Sequence, residues 1–133
     1  EASTLFGQVF SNPLYDRLSN TYQISADCDL EIGKINNAEK KYKKSLQLDK
    51  HNALALLGMA KLYYKQANYK IANYYFSRFE ELSKNTADSL WLGINIQRKL
   101  ADKNKVSSYI LELKNLYPDS DQTLFLIQGK KFY

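Results

Sequence analysis

The chain is poor in the residues from which reactive sites are built. One cysteine, Cys28, and one histidine, His51, in 133 residues exclude an intrachain disulfide and leave no His and Cys cluster at metal-ligand spacing. His51 falls in a polar joint, where a lone histidine reads as a solvated loop residue. No Gly-rich phosphate loop and no nucleophile elbow is present. No apolar run approaches the roughly 20 residues of a membrane span. The expectation is a protein that is not an enzyme and carries no cofactor and no metal. Only two prolines, Pro13 and Pro118, interrupt a sequence that is 44% hydrophobic and 25% charged, so helix breakers are scarce in a composition ordinary for a folded domain.

What is present is a period. Ala38, Ala72 and Val106 are spaced by 34 residues, as are Tyr42, Phe76 and Ile110, then Ser45, Phe79 and Leu113, then Lys50, Lys84 and Pro118. Ala26, Ala60 and Ile94 keep the same register upstream. This is the tetratricopeptide period, in which each unit is a helical hairpin that cannot bury its own apolar faces and therefore stacks on its neighbours. Small residues mark the closest helix contacts, and a bulky aromatic in the second helix fills the space between layers. The fold class implied is all-α, a right-handed superhelix of stacked hairpins with a C-terminal capping helix.

Along the chain, residues 1–133 read as one domain with units at 19–52, 53–86 and 87–120. Residues 2–11 read as the second helix of a truncated earlier repeat, broken by Asn12 and Pro13, so the chain reads as a piece of a longer protein. Hairpins are expected at about 18–32 with 36–49, 53–66 with 69–83, and 87–100 with 103–117, with Gly33, Asn36, Asn37 and Asn68 at the turns. A segment at 120–129 carries Leu124, Phe125 and Ile127 and suits a cap over the last apolar face.

Charged clusters read as surface. Asp27, Asp29 and Glu31 stand two apart on a helix, which turns them to different faces, and the expectation is an acidic, solvated first helix rather than a cation site. Cys28 is expected to be a half-buried small side chain. The net charge of +5 and 11 tyrosines invite a nucleic-acid reading. Against it, Lys40, Lys41, Lys43 and Lys44 flank Tyr42, which the period makes a packing residue, so the lysines point to solvent and no nucleic-acid partner is expected.

The remaining chemistry is recognition. In tetratricopeptide solenoids the first helices line a concave groove, and the corresponding positions hold Leu57, Lys61, Tyr64, Lys65, Trp91, Asn95 and Arg98, with Lys99 beside them. Leu57, Tyr64 and Trp91 would make an exposed apolar ladder with a basic margin, suited to a peptide carrying acidic groups near apolar anchors. The alternative is that Trp91 is inter-repeat core. A clamp for a terminal carboxylate would need donors where Gln23, Asp27 and Gly58 stand, and is not expected.

Asn12-Pro13-Leu14-Tyr15, Arg78-Phe79, Ser89-Leu90-Trp91-Leu92-Gly93-Ile94, Ser108-Tyr109 with Leu113, and Tyr117-Pro118-Asp119-Ser120 together resemble the type IV pilus biogenesis and stability lipoproteins, the PilF/PilW family of secretin pilotins. The sequence departs from that pattern at Ala101, which precedes Asp102 where a Gly-Asp turn is usual, and in having Cys28 where some relatives have paired cysteines. The resemblance implies a non-enzymatic adaptor whose partner is the outer-membrane secretin subunit of the type IV pilus. It also implies an N-terminal lipid anchor outside this sequence as the sole membrane attachment, and residence at the periplasmic face of the outer membrane. A generic peptide-binding scaffold or secretion-system chaperone is the rival reading.

Overall fold

A computed structural model describes residues 12–127, and among them there are seven helices and no strand. They are α1 (Pro13–Glu31), α2 (Ile35–Leu48), α3 (Ala53–Lys65), α4 (Tyr69–Leu82), α5 (Ala87–Lys99), α6 (Lys103–Leu116) and α7 (Asp121–Ile127). The period is written into their boundaries: α2, α4 and α6 have 14 residues each, starting at 35, 69 and 103, and α3 and α5 have 13, starting at 53 and 87, so equivalent helices start 34 residues apart. The expected helix at 2–11 and the end of the expected cap lie outside the described residues.

Equivalent residues start and stop equivalent helices. Asn52 and Thr86 accept a hydrogen bond from the backbone N–H three residues on, as do Asn68 and Asp102, so one side-chain oxygen replaces a missing helical partner at each start. At the other end of each first helix, Gly33, Ala67 and Ala101 adopt positive φ of 85°, 61° and 62°. Each sits in the same double hydrogen-bonded turn. At Ala101, its N–H meets Arg98 O (3.2 Å) and the Asp102 N–H meets Gln97 O (3.0 Å). The turn therefore keeps its left-handed form although alanine replaces the usual glycine.

Two local expectations are corrected. The first helix, expected from about 18, already opens at Pro13, where the fixed φ of proline is favourable and its missing N–H costs nothing, with Asn12 Oδ1 accepting from Leu14 N at 2.9 Å. Asn36 and Asn37 lie inside the first turn of α2 rather than in the joint.

The packing follows the periodic series. Ala26, Ala60, Ile94, Ala38, Ala72, Tyr42, Phe76 and Leu113 are fully buried, and Phe79 nearly so. In the first layer Ser45 takes the place of Phe79 and Leu113, and its hydroxyl is satisfied by Ser19 O at 2.8 Å while Ser19 Oγ donates to Ser45 O at 2.8 Å. One core forms around α1, α2 and α3, a larger one around α3 to α6, and Leu46, Tyr63 and Tyr75 pack against both. The core is continuous along the stack.

Hairpins are tied together at repeated places. Tyr63 donates its hydroxyl to Glu39 at 2.6 Å, and 34 residues on Gln97 donates to Asn73 at 2.8 Å, each pair joining a second helix to the next first helix. The carboxylate of Glu39 and partial burial push the Tyr63 hydroxyl up to about 12, and the same hydrogen bond holds Glu39 below its ordinary value. Burial, with Glu80 accepting from it at 3.0 Å, likewise raises Tyr109.

The last helix packs by a different face from the one expected. Thr123 is buried and Leu126 joins the core, while Leu124 and Ile127 remain 43% and 67% exposed. Phe125 reaches Trp91, ring centroids 5.8 Å apart. The 123/126 spacing of one helical turn, with Thr123 Oγ1 donating to Tyr117 O at 2.7 Å, sets that orientation.

Candidate binding groove

The first helices α1, α3 and α5 lie side by side, and two adjoining cavities open between them. The larger, about 450 Å³, is lined by Lys61, Tyr64 and Lys65 of α3, Tyr69 at the start of α4, and Asp88, Leu92 and Lys99 of α5. The spacing explains the grouping: 61, 64 and 65 fall on one face of a helix, and so do 88, 92 and 99. Lys61 Nζ pairs with Asp88 Oδ2 at 2.9 Å across the gap. Among the described residues Lys65 and Lys99 have no ion-pair partner, and Lys99 stands 5.8 Å from the Tyr69 ring centroid. Tyr64 and Tyr69 form a tilted aromatic pair at 5.4 Å, and burial raises the Tyr64 hydroxyl's pKa.

The smaller cavity, about 290 Å³, lies between α1 and α3. Leu30, Leu54, Leu57 and Gly58 supply its apolar surface, Gln23, Asp27 and Glu31 its polar side, and Lys61 and Lys65 its boundary with the larger one.

Of the seven groove residues named from the sequence, the structure brings Lys61, Tyr64 and Lys65 to the larger cavity and Leu57 to the floor of the smaller. Trp91, Asn95 and Arg98 line neither. The exposed ladder of Leu57, Tyr64 and Trp91 is not formed. Leu57 and Trp91 are only 7% and 6% exposed, because the position they share faces the adjoining layer, and for Trp91 that layer is α7. Asn95 is buried too, its amide donating to Trp91 O at 2.7 Å. Arg98 is exposed. Tyr69, Asp88 and Leu92 were missed. Asp88 was within reach, since the second position of each unit also faces the groove, whereas Tyr69 belongs to a second helix and gave no periodic signal.

Other sequence candidates resolve into structural roles. Asp27 accepts from Gln23 and from the buried Tyr42 hydroxyl, whose titration burial and that contact push far up. Asp29 pairs with Lys41 at 2.7 Å. The first helix is therefore not simply a solvated acidic face, because two carboxylates of the Asp27, Asp29 and Glu31 cluster hold it to α2. Cys28 is exposed rather than half-buried. Among the described residues there is no group of three potential metal ligands, and no helix is long and apolar enough to cross a membrane. What the groove offers chemically is cationic donors beside aromatic and aliphatic walls.

No protein-family model matches the chain. The type IV pilus assembly protein PilF of Pseudomonas aeruginosa is 34% identical over 113 residues, which is 85% of this chain and 45% of that protein. The solved structure of P. aeruginosa PilF superposes with a TM-score of 0.77 at 31% identity, over 90% of this chain and 54% of that one. PilW, described as a widely conserved type IV pilus biogenesis factor, gives a TM-score of 0.74 at 22% identity, covering 92% of this chain and 56% of its own. The first tetratricopeptide domain of Spaghetti (RPAP3), solved with the HSP90 peptide SRMEEVD, gives 0.76 at 12% identity over 86% and 90% of the two chains, a likeness of fold alone. The chain thus spans about half the length of the pilus proteins it matches. It has the tetratricopeptide fold and is similar to proteins of type IV pilus biogenesis, which are not enzymes.

Proposed function

We propose that this chain is part of a tetratricopeptide adaptor of type IV pilus biogenesis that helps the secretin reach the outer membrane and assemble its ring. The observation that carries the reading is the 34% identity to PilF over 85% of the chain, reinforced by superposition on PilF at 31% identity. In this reading the adaptor works at the periplasmic face of the bacterial outer membrane, held there by a lipid anchor outside the present sequence. Its partner is the secretin subunit, met as protein on protein. The groove supports a binding role because it combines aromatic and aliphatic walls with lysines, the mixture from which interface anchors are made.

The test is deletion of the gene in its own host, followed by immunoblotting of heat-resistant secretin multimers in outer-membrane fractions and counting of surface pili. Loss of both, restored by the full-length gene in trans, is the expected result. Normal multimers in the deletion strain would remove the secretin role and leave a generic peptide-binding scaffold.

A further inference from the structure

The larger cavity carries an imbalance that packing does not explain. Three lysines line it against a single carboxylate, and that carboxylate, Asp88, is occupied with Lys61. Lys65 and Lys99 therefore line a walled space between two helices and form no ion pair among the described residues. Two like charges held near one cavity repel each other, and a carboxylate placed between them would relieve that repulsion while gaining charge-assisted hydrogen bonds. The walls add Tyr64, Tyr69 and Leu92, which suit the aliphatic stem of an acidic side chain.

The adjoining cavity decides what kind of molecule carries that carboxylate. It shares Lys61 and Lys65 with the first, and the rest of its lining is apolar at Leu54 and Leu57 of α3 and acidic at Asp27 and Glu31 of α1. A small free anion would fill the first cavity and leave the second empty. A nucleic acid would carry its next phosphate toward Asp27 and Glu31, which repel it. An extended protein segment satisfies both cavities with one acidic residue followed by an apolar one. We infer that the groove between α1, α3 and α5 reads an acidic–apolar protein segment, with Lys65 and Lys99 receiving the carboxylate and Leu54 and Leu57 the apolar side chain. This deepens the adaptor reading and rests on it only in taking the partner to be a protein.

The test uses the purified chain and a fluorescein-labelled peptide Gly-Ser-Glu-Leu-Leu-Ser-Gly in fluorescence anisotropy. Saturable binding is expected, with the Gln-for-Glu peptide about tenfold weaker or more, as loss of a charge-assisted contact implies. The double variant Lys65→Gln/Lys99→Gln should weaken the acidic peptide by a similar factor without changing helicity, because neither lysine holds an ion pair. Leu54→Glu, at a residue 56% exposed and so harmless to folding, should also weaken it. Equal binding of the acidic and Gln peptides, or no saturable binding, would overturn the inference. So would complete competition by acetate at the peptide's own concentration, or tighter binding of oligothymidylate through the same lysines. A failure here leaves the secretin-multimer result untouched, since that assay reads the whole protein and not this cavity.

Discussion

Gly58 of α3 lies against the ring of Tyr42 of α2, so close that a β-carbon added to it would stand 2.3 Å from two ring atoms. The ring is itself fixed, being fully buried with its hydroxyl donated to Asp27. This contact seats the second hairpin on the first, and it explains why a helix interior tolerates glycine here. Gly58→Ala is expected to destabilise the chain by about 1–3 kcal/mol through overpacking, although helix propensity alone would favour alanine by about 1 kcal/mol. Urea unfolding followed by circular dichroism measures the sign. A stabilised variant would mean that the hairpins are not packed as described.

The three left-handed turn residues should respond in opposite directions. Alanine in that region costs roughly 1–2 kcal/mol that glycine avoids, offset by about 0.4–1 kcal/mol for glycine's freedom in the unfolded chain. Ala67→Gly and Ala101→Gly should therefore be neutral to stabilising by up to about 1 kcal/mol, and Gly33→Ala should be destabilising by a similar amount. Denaturation midpoints of the three variants decide it. Destabilisation by both glycine substitutions would contradict the observed turn geometry.

The Tyr63–Glu39 contact predicts a pH dependence. Tyr63 titrates higher in the folded chain, about 12 against an ordinary 10.0, so its contribution is fully present below pH 10.0 and is lost as pH rises toward about 12. Glu39 is shifted down, so its contribution is present above the ordinary carboxylate value and lost as pH falls through the lowered one. The melting-temperature difference between the wild type and Tyr63→Phe should be largest near neutrality and shrink on both sides. A difference independent of pH would show that the hydrogen bond contributes nothing.

Trp91 is the only tryptophan, which makes the contact with α7 directly observable. Its fluorescence should be blue-shifted and protected from acrylamide in the native chain. Phe125→Ala should red-shift it, and Trp91→Ala should cost about 3–5 kcal/mol as a core truncation. An unshifted spectrum in Phe125→Ala would detach α7 from the stack. Leu57→Ala belongs with such core changes, so it is unsuited to probing the groove.

The repeat architecture was legible because close packing imposes a small or bulky residue every 34 positions, and those series are buried or half-buried, whereas Lys50, Lys84 and Pro118 at the unit ends are exposed. The string Ser89-Leu90-Trp91-Leu92-Gly93-Ile94 that carries the resemblance is buried throughout, and Gly93 is kept small by the Phe76 ring, 2.8 Å from where a β-carbon would be. The string therefore reports packing first. The groove was only half legible. A unit position shows which way a side chain leaves its helix, but not whether the next layer covers it, and that is why Asn95 was read as groove and Trp91 was left between groove and inter-repeat core, the latter being where it lies. Tyr69 and the Lys61–Asp88 pair arise from juxtaposition between helices, which no single-helix periodicity records.

In the proposed role, the first-helix face of this chain meets the secretin. A photo-crosslinking amino acid placed at Lys65, which lies on the boundary between the two cavities, tests this in the living host when adducts are identified by mass spectrometry. An adduct with the secretin subunit is expected from position 65 and none from Tyr74, an exposed residue of α4. A secretin adduct from Tyr74 with none from Lys65, or no secretin adduct from either, would contradict it.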